Sequence, residues 1–424
     1  MTDTEIVAVR GARRWDSRGR PTVAVTVTTP AGQGTALAPA GASTGSGEAV
    51  DLRDGGAAFG GLDVRRAMAN VDDVIAPALT GHDAADQAGV DAILDGLDTD
   101  HRFAHLGGNA AVATSMAVAH AAAAANGLPL WHHLDPSATQ LPVPEIQIFG
   151  GGAHAHRRVD LQDFLVVPGG AGSFAEALDW VAEIHRAGGR WLDQRGRLAG
   201  VAEEGGWWPA FDRNEEALDA LTAAIADAGF EPGRDVGISL DIAATQLRDG
   251  DGYRLGRDAT RFDRDGWLDV LAGWIDRYPI VSVEDAFAED DTDGMRAFTG
   301  RVGDRVQVVG DDFLVTDAAR VRATTGAVNA ALIKPNQAGT LTRARAALDA
   351  ARAQGWTAIV SARSGETEDA TVADLSVGWG SDGVKVGSIT RGERTAKWNA
   401  LLQIEEDLGA AATYRGWAAL GWPA

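Results

Sequence analysis

The sequence predicts an α/β fold in which a small N-terminal α+β unit precedes a parallel (β/α) barrel. Three observations carry this expectation. In the second part of the chain, short apolar runs each end in a polar residue and are each followed by a helical pattern. The polar ends fall at 241, 284, 311, 334, 361 and 385, spacings of 43, 27, 23, 27 and 24 residues, which suits βα units of about 25 residues. The first part differs: a β-branched stretch with period-two alternation is followed by three helical patterns. Finally, a chain of 424 residues that is 45% hydrophobic and 23% charged is globular, and long enough for a barrel plus a smaller partner.

Taken in order, residues 22–29 (TVAVTVTT) read as a strand, Pro30-Ala31-Gly32 as a turn, and 34–37 as the start of the returning strand. Residues 40–47 (AGASTGSG) are small and flexible, with no side chain able to anchor a core. Helices are predicted over 63–75, 83–97 and 108–125. The last is the most apolar stretch, yet it is mostly Ala and carries Thr114, Ser115 and His120, so it reads as a buried helix rather than a membrane span. Leu141-Pro142-Val143-Pro144 marks a boundary, dividing the chain into 1–135 and a barrel domain over 141–424. The barrel runs are 237–240 before Asp241, 280–283 before Glu284, 306–310 before Asp311, 330–333 before Lys334, 357–360 before Ser361, and Gly383-Val384 before Lys385. The long interval contains Asp249-Gly250-Asp251-Gly252, a hairpin signal. Trp267, Leu268, Leu271, Trp274 and Ile275 share one helix face. A last helix is predicted over 391–408, with Lys397 in a structural role among Trp398, Leu401 and Leu402.

Composition narrows the function. The formal charge of −22 argues against nucleic acid or an anionic membrane as partner. An anionic ligand would therefore need metal ions or a few local cations. The chain has no Cys, which excludes disulfides, zinc–thiolate sites, iron–sulfur clusters and a thiol nucleophile. The opening MTDTEIVAVR lacks a basic segment followed by an apolar core, so no signal peptide is read and a cytoplasmic location is expected. Of 38 basic residues only three are Lys: Lys334, Lys385 and Lys397. A coding bias turns exposed Lys into Arg at little cost, but Arg stays protonated and cannot replace a Lys that acts as a base. Each surviving Lys is thus a candidate for chemistry.

Polar residues that close successive barrel strands point into one mouth. Asp241, Glu284, Asp311, Lys334 and Lys385 are therefore expected to converge. Any one acidic strand end more often caps a helix. Three of them with two rare lysines form a hard, oxygen-rich site suited to Mg²⁺. A metal beside Lys334 lowers that lysine's pKa by like-charge repulsion. Abstraction of a proton α to a carboxylate follows, with Mg²⁺ and Lys385 stabilising the enolate.

The chain resembles the enolase family over almost its full length. The matching segments are Asp16-Ser17-Arg18-Gly19, Gly41-Ala42-Ser43-Thr44-Gly45, Gly151-Gly152-Ala153-His154-Ala155, Glu204-Gly205-Gly206, Ser282-Val283-Glu284-Asp285, Gly310-Asp311-Asp312, Leu332 to Leu341 (LIKPNQAGTL) and Arg363 to Asp369 (RSGETED). The resemblance implies an atypical (β/α)8 barrel under a small α+β domain, usually assembled as a homodimer or higher homo-oligomer. A lysine base with one or two Mg²⁺ ions is the known scheme of that superfamily. The resemblance further implies that Asp241, Glu284 and Asp311 hold one tight Mg²⁺, that Lys334 takes the α-proton, and that Lys385 meets the substrate carboxylate. Glu204 protonates the departing β-hydroxyl, His154 sits on another closing loop, and Asp163 and His154 are counted among the catalytic and substrate-binding residues. Arg363 and Ser364 bind phosphate, the Arg fork being suited to bidentate contact. Ser43 ligates a second Mg²⁺ that arrives with substrate. By themselves 41–45 could be a linker, His154 structural, and Arg363 a partner of Glu366 or Glu368.

The sequence also departs from the family pattern. Ala362 stands where the family has His, and no His occurs after His185. Gln162-Asp163-Phe164 shortens the family's Gln-Glu-Phe by one methylene, and Glu203-Glu204-Gly205-Gly206-Trp207-Trp208 replaces Asp-Glu-Gly-Gly-Phe-Ala. Ala40, His156-Arg157, Thr245-Gln246 and Ala24 are further changes. Metal ligands and both barrel lysines are untouched, so proton abstraction is expected to be kept while substrate recognition or the leaving-group step shifts. The expected function is a Mg²⁺-dependent lyase acting on 2-phosphoglycerate or a close phosphorus-containing anion enlarged at its phosphate end. The alternatives are an enzyme like the carboxyphosphonoenolpyruvate synthases of phosphonate and phosphinate antibiotic pathways, and a non-catalytic binding protein on the same fold.

Overall fold

The alternating β-branched stretch forms the middle of a three-stranded antiparallel sheet in the computed structural model, which describes residues 2–421. Pro21–Thr28 pairs with Ala8–Trp15 on one side and Gln33–Leu37 on the other. Ala8–Trp15 (AVRGARRW) buries only Val9, so backbone pairing rather than a side-chain pattern makes it a strand, and the sequence carries no signal for it. The alanine-rich helix Gly108–Ala125 has its predicted bounds and is buried along most of its length. It lies so close to the sheet that a Cβ on Gly34 would collide with its backbone at Ala117 and Ala121. The helix predicted over 63–75 is Arg65–Asn70, a π-helical turn Val71–Ile75, and Ala76–Leu79, with helical backbone at Val71, Ile75 and Ala76, so that it runs on past the expected end with Pro77 inside it. The next begins later than expected, at Gln87, because Asp86 caps it by accepting from Gly89 N.

Eight strands close the barrel in chain order: Val143–Gly150, Asp163–Val167, Gly237–Asp241, Ile280–Glu284, Gln307–Gly310, Ala330–Ile333, Thr357–Ser361 and Gly383–Gly387, the last pairing back to the first. The second strand is antiparallel to both neighbours, so the barrel is not wholly parallel. The link between the first two strands fits this. It holds only the short 3-10 turn Gly152–Ala155 and no α-helix of the kind that usually carries a parallel crossover. Two helices, Phe174–Gln194 and Glu215–Asp227, then precede the third strand. The long interval after Asp241 holds the expected hairpin, with Asp249 paired to Gly252, plus a third short strand, Thr260–Phe262. Trp267, Leu271, Trp274 and Ile275 are buried on Arg264–Arg277, with Leu268 packed at the margin.

The strand ends deliver their polar residues to one mouth. Asp241, Glu284 and Ser361 end their strands, and Asp311 and Lys334 directly follow theirs. Lys385 is different, sitting in the middle of Gly383–Gly387 and so deeper in the barrel. Side chains two residues earlier point the same way. Accordingly Val309, Leu332 and Ile359 form a small apolar cluster with Ala330 beneath Asp311, Lys334 and Ser361.

Candidate active site

Residues 40–49 cross the barrel mouth. The segment 40–47 is held by its backbone, and by its neighbours Glu48 and Ala49, rather than by side chains of its own. Ala40 N donates to Gly365 O at 2.8 Å, Ala42 N to Ser364 Oγ at 2.6 Å, and Ala49 N to Gln337 O at 2.8 Å. Glu48 is buried and receives Arg363 Nη1 at 2.9 Å. Arg363 Nη2 also donates to Ser43 O at 3.0 Å, and Nη1 to Asn336 Oδ1 at 3.1 Å. Neither Glu366 nor Glu368 is the guanidinium's partner. Glu366 instead accepts the backbone N–H of Arg363 at 2.9 Å and meets Lys397 Nζ at 3.1 Å. Lys397, fully buried, therefore shapes the Arg363–Ser364 loop rather than doing chemistry. Burial works against the Arg363 charge, but Glu48 outweighs it and holds the guanidinium above its ordinary value. Gly41 permits the fit: a Cβ there would collide with Arg363 Nη2 and stand 2.6 Å from Ser43 O. Gly41→Ala is expected to lower turnover about tenfold or more by holding the loop away from Arg363, with little change in Tm; steady-state kinetics beside a thermal melt would check it.

Beneath the loop lies a narrow cavity of about 20 Å³. Ser43, His154, Asp163, Glu204, Asp241, Lys334, Ala362, Arg363, Ser364 and Lys385 all line it. Glu284 and Asp311 stand behind, reached through the two lysines. Lys385 Nζ lies 3.0 Å from Asp241 Oδ2 and 2.7 Å from Glu284 Oε2. Lys334 Nζ pairs with Asp311 Oδ2. Burial pulls both ammonium groups down. For Lys334, Asp311 more than restores it, and for Lys385, Asp241 and Glu284 drive it well above the ordinary value. Burial, then the neighbouring Asp241 charge, raises Glu284 well above the carboxylate range despite Lys385.

The donor set fits a hard dication. Asp241, Glu284 and Asp311 come from neighbouring strands, with Lys385 against the first two and Lys334 against the third, and Glu284 Oε1 is buried with no hydrogen-bond partner. The tightest all-carboxylate group among the described residues is Asp285, Asp311 and Asp312. Orientation comes from residues that the spacing did not single out. Asp285, held at φ 44°, accepts the backbone N–H groups of Asp311 at 2.9 Å and Asp312 at 2.8 Å. Gln337 Nε2 donates to Asp311 Oδ1 at 2.9 Å, and Gln162 Nε2 to Asp241 Oδ2 at 3.0 Å. The signal available for these was their place inside the motifs Ser282–Asp285, LIKPNQ and Gln162-Asp163-Phe164. Glu48 had none.

On the acid side, His154 Nδ1 lies 2.9 Å from Asp163 Oδ1 and its Nε2 3.8 Å from Glu204 Oε1. Burial would lower the imidazolium, but Asp163 and Glu204 outweigh it and push it up to about 9. Burial likewise raises Glu204, yet His154, Arg394 and the two barrel lysines keep it below its ordinary value. The proton of this pair therefore rests on His154. A folded-state value raised from 6.5 to about 9 contributes stability that is complete below about pH 6.5 and disappears as pH rises through about 9. Thermal melts across that window should show this loss, and His154→Gln should flatten it.

Two family descriptions match the chain: "Enolase, N-terminal domain" over residues 6–134 and "Enolase, C-terminal TIM barrel domain" over residues 138–421. A protein called Enolase from Rubrobacter xylanophilus is 46% identical over 418 residues, which is 97% of this chain and 97% of that one.

Proposed function

The chain belongs to the enolase family and is a hydro-lyase of that superfamily, and on that premise we propose that it removes a proton α to a carboxylate and expels a β-hydroxyl from a small phosphorus-containing anion. The observation that carries this is the single cavity in which Lys334, Lys385 and the Glu204–His154 pair all meet. Asp241, Glu284 and Asp311 are the residues to hold a tight Mg²⁺, and Ser43 a second ion with substrate. Bound there, the metal would supply Lewis-acid stabilisation of negative charge on the substrate carboxylate. Lys334 is the base. Its ammonium is held by Asp311, so it becomes able to accept a proton once that carboxylate is otherwise engaged. Lys385 offers its ammonium to the substrate carboxylate. Glu204, supplied through His154 with Asp163 behind it, delivers the proton to the leaving hydroxyl. Arg363 and Ser364 take the phosphorus group, which competes with Glu48 for the guanidinium.

Ala362 favours 2-phosphoglycerate's larger relatives as substrate. It lines the cavity next to Arg363, where a longer side chain would fill the space. The reading includes an enzyme of the carboxyphosphonoenolpyruvate synthase kind. Mg²⁺-dependent turnover assays with 2-phosphoglycerate and with an analogue carrying an enlarged phosphorus group decide between the two. Ala362→His is expected to shift relative kcat/KM toward 2-phosphoglycerate by about tenfold or more. An unshifted ratio would remove the substrate part of the proposal. A titration in which Mg²⁺ and a phosphonate enolate mimic fail to tighten each other's binding would favour a non-catalytic binding protein.

The same proposal takes the division at residues 1–135 and 141–424, a cytoplasmic location, and a homodimer or higher homo-oligomer with no nucleic-acid or membrane partner. Among the described residues no helix is long and apolar enough to cross a membrane.

A further inference from the structure

We propose that Gln147 is the positioning residue of the leaving-group step, an inference that rests on the lyase reading above. Gln147 is 0% exposed and lies within the first barrel strand, Val143–Gly150. Its side chain makes two hydrogen bonds in opposite senses. Oε1 accepts the backbone N–H of Gly206 at 2.9 Å, and Nε2 donates to Asp163 Oδ1. A backbone N–H only donates, so the amide oxygen must face Gly206 and the NH₂ group must face Asp163. One planar group thus ties Asp163 to the turn that carries Glu204, two residues before Gly206.

The connection closes on itself. Asp163 Oδ1 also receives His154 Nδ1 at 2.9 Å, and His154 Nε2 faces Glu204 Oε1 at 3.8 Å. Asp163 Oδ2 is buried and has no hydrogen-bond partner, so Oδ1 alone sets the direction of the carboxylate. Gly206 leaves the room this needs, since a Cβ there would stand 2.5 Å from Gln147 Oε1. Removing the amide leaves Gly206 N–H and Asp163 each short of a buried partner; the Glu204 turn keeps its backbone bonds, Glu203 N to His154 O at 3.2 Å and Ser388 N to Glu204 O at 2.9 Å, but loses the one that fixes it to the Asp163 carboxylate. No hydrogen bond of Gln147 reaches Lys334, Asp311 or Lys385. The defect therefore falls on cleavage of the C–O bond and spares cleavage of the C–H bond.

The two bond cleavages can be read separately. With 2-phosphoglycerate and its enlarged phosphorus analogue as probes, one assay follows product formation. The other follows exchange of the α-hydrogen with solvent deuterium by mass spectrometry. Gln147→Leu is expected to lower kcat about a hundredfold, with KM and α-exchange within about threefold of the unmodified protein. Equal loss of both, or loss of neither, overturns the proposal, because a merely structural role would not separate them. If melting shows Gln147→Leu unfolded, Gln147→Glu is read by the same two assays. It keeps an acceptor for Gly206 but has no donor for Asp163. If the unmodified protein neither turns over nor exchanges either probe, the lyase reading itself fails and takes this inference with it.

Discussion

Lys334→Ala is expected to lower turnover by about 10³- to 10⁴-fold and to abolish α-hydrogen exchange with it, the upper range for losing a general base. The side chain is buried at the cavity wall and no other amine is in a position to replace it. Lys385 is engaged by Asp241 and Glu284, and Arg363 cannot give up its proton. Mg²⁺ affinity should hold or tighten, since the substitution frees Asp311 from its ammonium partner. Glu204→Gln is the companion: product formation falls while exchange persists. Exchange surviving in Lys334→Ala at the unmodified rate would assign the base elsewhere. Calorimetric titration with Mg²⁺ beside the exchange assay settles both halves.

The second large effect is on stability. Lys385→Met is expected to destabilise the metal-free protein by about 3–5 kcal/mol, the cost of leaving a buried charge pair without one partner. In this arrangement the ammonium occupies the space between Asp241 and Glu284, at 3.0 and 2.7 Å. It does the neutralising that a dication would otherwise do. Mg²⁺ should therefore raise the Tm of Lys385→Met more than that of the unmodified protein, and chelator should expose the full deficit. Melts with chelator and with excess Mg²⁺ check this. A variant that melts like the parent in chelator would mean that Asp241 and Glu284 take up protons instead, the direction in which burial already drives Glu284.

Much of the site was legible because a barrel converts spacing into proximity. Parallel strands of similar length, separated by regular helices, bring their ends to one rim whatever the intervening residues are. Asp241, Glu284, Asp311 and Lys334 could thus be placed together from the linear pattern, and the scarcity of lysine marked which cations mattered. The reversed second strand was not legible. Its antiparallel course goes with a link that holds no crossover helix, and an apolar run reads the same in either direction. Nor was Ala8–Trp15, whose charges carry no alternation and whose pairing is all backbone.

The limits are clearest at Arg363 and Gln147. The motif gives Arg363 an expected role toward phosphate but no partner within the protein, and that partner, Glu48, is 315 positions away in a loop that looked featureless. Gln147 sits in an apolar strand and carries no charge, and its importance lies in which way each end of an amide faces. By itself the sequence determined which chemical groups exist and which strand ends carry them, since residue type and period are local properties. Only the folded chain decided which carboxylate each cation meets and how the acid side is held. Those are matters of distance and direction between residues far apart along the chain, and buried electrostatics changes sharply over an ångström or two.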